Sequence, residues 1–149
     1  MLDCLNIYNE PINQKLRCDE CKNTFQQIST MKKIFFAPNT FIFLLDRGIN
    51  FDSSNKILQI PFKIDEEIDL SKFIINQTSP NYYKLTGIVS IFLKEKKYVS
   101  FCLSPIEKSW YYYNNERAEY TNLGIILNSH QKEYIPCILM YSAVIKNNN

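Results

Sequence analysis

The sequence predicts an α+β domain dominated by a twisted antiparallel sheet, and three observations carry that prediction. First, between residues 82 and 116, three apolar runs rich in Tyr, Phe, Ile and Val (83–93, 98–103 and 110–113) are separated by two polar segments. These are the charged knot Lys94-Glu95-Lys96-Lys97 and the breaker Ser104-Pro105-Ile106-Glu107-Lys108. Strand-forming side chains interrupted by turn formers at this spacing read as consecutive antiparallel strands. Second, the segment from Pro38 to Arg47 holds the unbroken apolar run Phe41-Ile42-Phe43-Leu44-Leu45 and closes on charges. A continuous run of this length predicts a strand buried on both faces. Third, helical spacing shows at the start, where Leu2, Leu5 and Tyr8 share a face, Asp3 favours the positive end, and Asn9-Glu10-Pro11 makes the stop.

Composition sets the frame. At 149 residues the chain is the size of one ordinary domain and can enclose a core without disulfides or metals. Its 46% hydrophobic and 14% aromatic content is that of a packed, strand-rich body. With 17 basic against 15 acidic residues, a net charge of +2 argues against nucleic acid or an anionic membrane as partner. The start MLDCLNIYNE lacks the basic and long apolar regions of a secretory signal, and no apolar run approaches the roughly 20 residues of a membrane span. The expectation is a soluble protein of the cytoplasm or nucleus. The odd count of five cysteines (Cys4, Cys18, Cys21, Cys102, Cys137) agrees with reduced thiols.

The remaining elements follow in order. Leu16-Arg17-Cys18-Asp19-Glu20-Cys21-Lys22 is a Cys-x-x-Cys knuckle; two thiolates on such a turn can face one zinc ion, but a structural zinc needs four ligands. Residues 48–55 form a polar loop, and the acidic run 65–69 leads into Leu70-Ser71-Lys72-Phe73. Residues 74–81 connect, residues 114–122 are polar and turn-like, and residues 124–127 are a short apolar run. A last apolar run spans 135–141, and 146–149 is a polar tail. In Trp110-Tyr111-Tyr112-Tyr113, strand alternation sends Trp110 and Tyr112 to one side and the other two tyrosines to the opposite side. Both faces of a central strand would then be filled, so the cluster reads as core, not as a base-stacking platform.

Several of these segments resemble, in order, the second half of the catalytic domain of the ubiquitin-specific proteases, papain-like cysteine peptidases that cut ubiquitin from its conjugates. Tyr83-Lys84-Leu85-Thr86-Gly87-Ile88-Val89 is similar to the family's Tyr-x-Leu-x-x-Val strand, and Trp110-Tyr111-Tyr112-Tyr113-Asn114-Asn115 to its Trp-Tyr-x-Phe-Asp-Asp strand. Pro38, Phe41, Leu45 and Arg47 fall in register with its Pro-x-x-Leu-x-x-x-Leu-x-Arg segment. Lys56-Ile57 with Ile60-Pro61-Phe62, the segment ending in Phe73, and residues 135–141 resemble its later elements, and the resemblance runs from about Leu2 to Tyr141.

The resemblance implies the palm of that fold over residues 36–145, with a remnant of its zinc-bearing fingers over residues 1–35. It implies zinc ligands at Cys18 and Cys21, whose partner pair in the family lies in the half without a counterpart here. That half also carries the nucleophile. Between the two matching strands the family has Gly-Gly-His-Tyr; aligning Tyr98 with its Tyr puts Lys97 at the position of the catalytic His and Lys96 where a glycine opens the slot for ubiquitin's tail. Asn114 falls at the position of the residue that orients the His. A cysteine peptidase needs a base titrating near the working pH, and a lysine, with a reference pKa of about 10.4, would have to be pushed down by several units. The expectation is a catalytically inactive family member whose Lys97 is a solvated hairpin tip and which binds ubiquitin or a partner. The alternative is a thiol-dependent deubiquitinase whose nucleophile-bearing half comes from another chain. The only histidine, His130, lies in the hydrophilic segment Asn128-Ser129-His130-Gln131-Lys132 and reads as exposed, not as half of a dyad with a cysteine. Without the helical half that covers the sheet in the family, the chain should expose apolar surface.

Overall fold

In a computed structural model, residues 12–17, 25–30, 32–45, 63–76, 78–129 and 133–144 are described, the first two segments by their backbone. The predicted N-terminal helix, the Cys18/Cys21 knuckle, His130 and the 48–55 loop lie outside these residues. Strands β1 (Ile12–Arg17) and β2 (Phe25–Thr30) form a two-stranded antiparallel ribbon. The rest builds around one open sheet: β3 (Thr40–Leu44), β4 (Glu67–Asp69), β5 (Tyr82–Phe92), β6 (Lys97–Leu103), β7 (Trp110–Asn114), β8 (Arg117–Thr121) and β9 (Tyr134–Ala143). The order is β3-β9-β5-β6-β7-β8, all pairs antiparallel. β4 pairs with residues 82–84 of β5, and β6 takes over that side of β5 from Gly87 onward.

Register explains which residues make the core. Tyr83, Leu85 and Ile88 of β5 lie opposite Ala143, Tyr141 and Leu139 of β9, and Ile88 is opposite Phe101, itself opposite Tyr112. These share a face, and Tyr83, Leu85, Ile88, Phe101, Leu139 and Tyr141 are all buried in one cluster. Two register shifts, between Leu85 and Gly87 and between Val89 and Ser90, keep this face intact along an 11-residue strand, as bulges do by adding twist and re-aiming side chains. At Gly87 the backbone passes beneath Met140; a Cβ there would sit 2.4 Å from the Met140 methyl carbon, so a larger residue would displace that thioether.

The core face is covered by segment 64–74, which contributes Ile64, Ile68, Leu70, Phe73 and Ile74, and by helix α1 (Leu123–Ser129), which inserts Ile126. Asn122 starts this helix: its side-chain oxygen accepts from the backbone N–H of Ile125 at 2.9 Å, the N-cap role that short polar side chains fill. None of the helices among the described residues is long and apolar enough to cross a membrane.

Three sequence expectations are corrected. The run 41–45 is not buried on both faces: β3 is an edge strand whose Phe41 and Phe43 pack on the core, while Ile42 and Leu44 are 65% and 77% exposed. Segment 114–122 is not a turn throughout, because β8 pairs with β7 from Asn114↔Arg117 to Trp110↔Thr121. The Trp110–Tyr113 run fills only one face: Trp110 is buried, but Tyr113 on the other side is 40% exposed. Phe35, Ile42, Leu44 and Ile106 are exposed apolar residues.

Candidate functional site

Lys97 is the first residue of β6, opposite Phe92 across the four-residue turn 93–96. Asn114 is the last residue of β7. The pairing Ser100↔Tyr113, continued by one residue, sets Asn114 against Val99, so Lys97 lies on the same face one diagonal step away. Diagonal neighbours in an antiparallel pair are about 7–8 Å apart, within reach of long side chains. Topology therefore brings the two sequence-predicted positions to one end of one sheet face.

Aromatic rings floor that end. Phe92 stacks on Tyr134 at 5.1 Å, Phe101 packs on Tyr112 at 5.2 Å, and Tyr134 meets both Phe101 and Tyr112 edge-on. Burial, a hydrogen bond with Tyr112, and the charges of Glu133 and Glu119 push the Tyr134 phenol up to about 12. These rings were invisible as a group in the sequence, because they come from four different strands.

The polar groups above the floor do not pair with each other. Lys97 forms an ion pair with Glu95, at 29% side-chain exposure for the lysine, so it begins a strand half inside the protein and is not the solvated tip expected. The Asn114 side-chain oxygen is buried with no hydrogen-bond partner. A buried carbonyl oxygen without a donor costs about 1–3 kcal/mol, and Lys97, paired with Glu95, does not supply one.

The turn leading into Lys97 is also informative. Lys96 has φ of 51°, in the left-handed region where a Cβ costs roughly 1–2 kcal/mol and glycine costs nothing. Lys96 thus carries its side chain on a backbone conformation that favours glycine, the residue the resemblance implies there. Lys96→Gly is expected to raise the unfolding free energy by up to about 1 kcal/mol, the relief being partly offset by glycine's greater chain entropy; urea unfolding measures it.

Two thiols, Cys102 and Cys137, lie among the described residues. Cys102 alternates with Phe101 and so lies on the opposite side of the sheet, and burial pushes its thiol above the ordinary range. Cys137 is buried, with its sulfur donating to the Ile135 carbonyl at 3.3 Å. Among the described residues no group of three or more His, Cys, Asp or Glu is placed to hold a metal. Arg17↔Phe25 closes the β1-β2 ribbon, so residues 18–24, with Cys18 and Cys21, join its two strands.

Comparison with known proteins follows this geometry. Residues 5–141 match the family model of the ubiquitin carboxyl-terminal hydrolases. Solved structures share the fold: a SAGA DUB module of Ubp8, Sgf11, Sus1 and Sgf73 bound to monoubiquitin superposes with a TM-score of 0.72 at 20% identity, covering 97% of this chain and 32% of that one. A yeast SAGA DUB module carrying an Sgf73 mutant gives 0.72 at 21% identity, covering 96% and 32%, and the module bound to ubiquitin aldehyde gives 0.72 at 19%, covering 97% and 33%. No curated protein matches the chain. The antiparallel sheet, with one short helix among the described residues, and the family match define the class, a partial domain of the ubiquitin-specific protease type. The chain belongs to the ubiquitin carboxyl-terminal hydrolase family, and it spans about a third of the length of the structures it matches.

Proposed function

We propose that this chain is a deubiquitinase-family protein that binds ubiquitin or a partner of the ubiquitin system inside the cell, in cytoplasm or nucleus, and does not by itself cleave ubiquitin conjugates. The observation that carries this reading is the state of the two polar positions: Lys97 is engaged as a cation by Glu95, while the Asn114 oxygen has no donor. A base that takes a thiol proton needs a free lone pair aimed at the thiol. Here the nitrogen is tied to a carboxylate, Cys102 lies on the opposite face of the sheet, and the Cys137 thiol is buried against the Ile135 carbonyl.

A second reading rests on the coverage. The chain aligns over almost its whole length with about a third of each matched chain, so a separate polypeptide could bring the nucleophile-bearing half. Ubiquitin carrying a carboxyl-terminal vinyl or propargyl electrophile separates the two. The first reading expects no covalent adduct and a reversible change in the amide spectrum of labelled ubiquitin. An adduct on this chain would overturn it, and an adduct on a second polypeptide only when this chain is present would establish the other reading.

For the ribbon, Cys18 and Cys21 are proposed to be a remnant knuckle without bound metal, since a structural zinc requires four ligands. Metal analysis of the purified chain is expected to find less than one zinc per chain; stoichiometric zinc, lost on replacing Cys18 with serine, would contradict this.

A further inference from the structure

Among the described residues the sheet ends at β8, with no strand beyond it. Arg117, Ala118, Glu119 and Tyr120 are all exposed, Tyr120 at 71%. The β7-β8 hairpin closes at Asn114↔Arg117 over the two residues Asn115 and Glu116, with Asn115 at φ of 54°, and its register runs unshifted to Trp110↔Thr121. A two-residue turn makes the closing pair a hydrogen-bonded one, and hydrogen-bonded and open pairs then alternate. Arg117, Glu119 and Thr121 therefore spend their backbone groups on β7, whereas Ala118 and Tyr120 turn theirs outward. Among the described residues no backbone hydrogen bond from another segment meets them.

Sheet edges in soluble proteins are protected by shortness, proline, bulges or charged side chains, and β8, at five residues, is short. β8 has no proline and no bulge, and its two charges are opposite in sign and two residues apart. We propose that β8 pairs antiparallel with β8 of a second copy of this chain, in the register that sets Ala118 opposite Ala118 and Arg117 opposite Glu119. The outward N–H and C=O of the two alanines then meet at the dyad, where a methyl side chain leaves room. Each Arg117 faces a Glu119 on one side of the joined sheet, giving two opposite-charge cross-strand pairs. On the other side each Tyr120 lies diagonal to Ala118 of the second copy and covers it. The neighbouring register, centred on Glu119, would set two carboxylates against each other and is disfavoured. So few strand residues make a small interface, and the association is expected to be weak and concentration-dependent.

Sedimentation velocity on the full chain across a concentration series tests this. The expected result is a monomer that passes to a dimer as concentration rises. Glu119→Arg, which places like charges opposite each other twice, should weaken the dimer by about tenfold or more. The double exchange Arg117→Glu with Glu119→Arg restores the opposite pairs and should restore the dimer. Both side chains are exposed, so circular dichroism should remain that of the parent. A monomer at every concentration overturns the proposal and leaves the edge to a strand of some other chain. Association that ignores Glu119→Arg also overturns it, assigning contact to exposed apolar residues such as Ile42 and Leu44, as does a double exchange that fails to recover the dimer. None of these outcomes depends on whether the chain binds ubiquitin.

Discussion

Replacing Tyr83 with alanine is expected to lower the unfolding free energy by about 3–5 kcal/mol, the range for truncating a buried aromatic. That is a large share of the 5–15 kcal/mol typical of a domain. Tyr83 is fully buried and stands where three parts of the chain meet. Its strand neighbours are Ile68 of β4 and Ala143 of β9. Its ring meets Phe41 of β3 edge-on at 5.0 Å, and its hydroxyl lies between the carbonyls of Pro38 at 2.7 Å and Pro80 at 3.1 Å, which share its single proton as acceptors. Alanine would lose the packing and leave both carbonyls short of a donor. Tyr83→Phe keeps the ring and loses only the hydroxyl, so it should cost about 1–3 kcal/mol. Urea unfolding of the pair separates the two contributions. Equal losses for both would place the stability in the hydrogen bonds and not in the ring.

How much of this was legible in the sequence differs from element to element, for physical reasons. β5, β6, β7 and β9 announced themselves because their apolar side chains recur along strands bounded by charged or proline-bearing turns; the predicted limits fall within about two residues of those observed. β8 carried no such signal. Arg117-Ala118-Glu119-Tyr120-Thr121 has no buried face to impose alternation, and it is a strand because β7 pairs with it. β3 was recognised as a strand but misjudged in depth: an unbroken apolar run is written the same way for a central strand and for an edge strand with one face uncovered. Only the sheet order tells them apart.

At the site, only the resemblance to the family's motifs pointed to Lys97 and Asn114. What spacing could not reveal was the environment. Glu95 is two residues from Lys97 in the charged knot, and nothing in the sequence says which of three lysines it pairs with. The aromatic floor draws Phe92, Phe101, Tyr112 and Tyr134 from separate strands, and the unpartnered Asn114 oxygen is a property of the folded chain. Lys96 is a case where the two levels disagree in detail. The resemblance implies a glycine there and the chain has a lysine, yet the backbone takes φ of 51°, the left-handed region that glycine enters most easily, in the turn closed by the pairing of Phe92 with Lys97.

The second large effect is expected from Lys97→His. An imidazole at the start of β6 would sit one diagonal step from the Asn114 oxygen, which is buried and lacks a donor, and it would stand over the face floored by Phe92 and Tyr112. Donation from Nδ1–H would satisfy that oxygen and hold the ring in the Nδ1–H tautomer, leaving the Nε2 lone pair outward, since the hydrogen bond at one ring nitrogen decides the state of the other. Filling a buried acceptor should also recover part of the roughly 1–3 kcal/mol its isolation costs.

Nitrogen NMR of the labelled imidazole in Lys97→His, with and without Asn114→Ala, measures this directly. If position 97 is the seat of a lost imidazole beside its orienting amide, the ring will be the Nδ1–H tautomer and will leave it when Asn114 is removed. A ring that titrates as a free histidine in both proteins would contradict that reading.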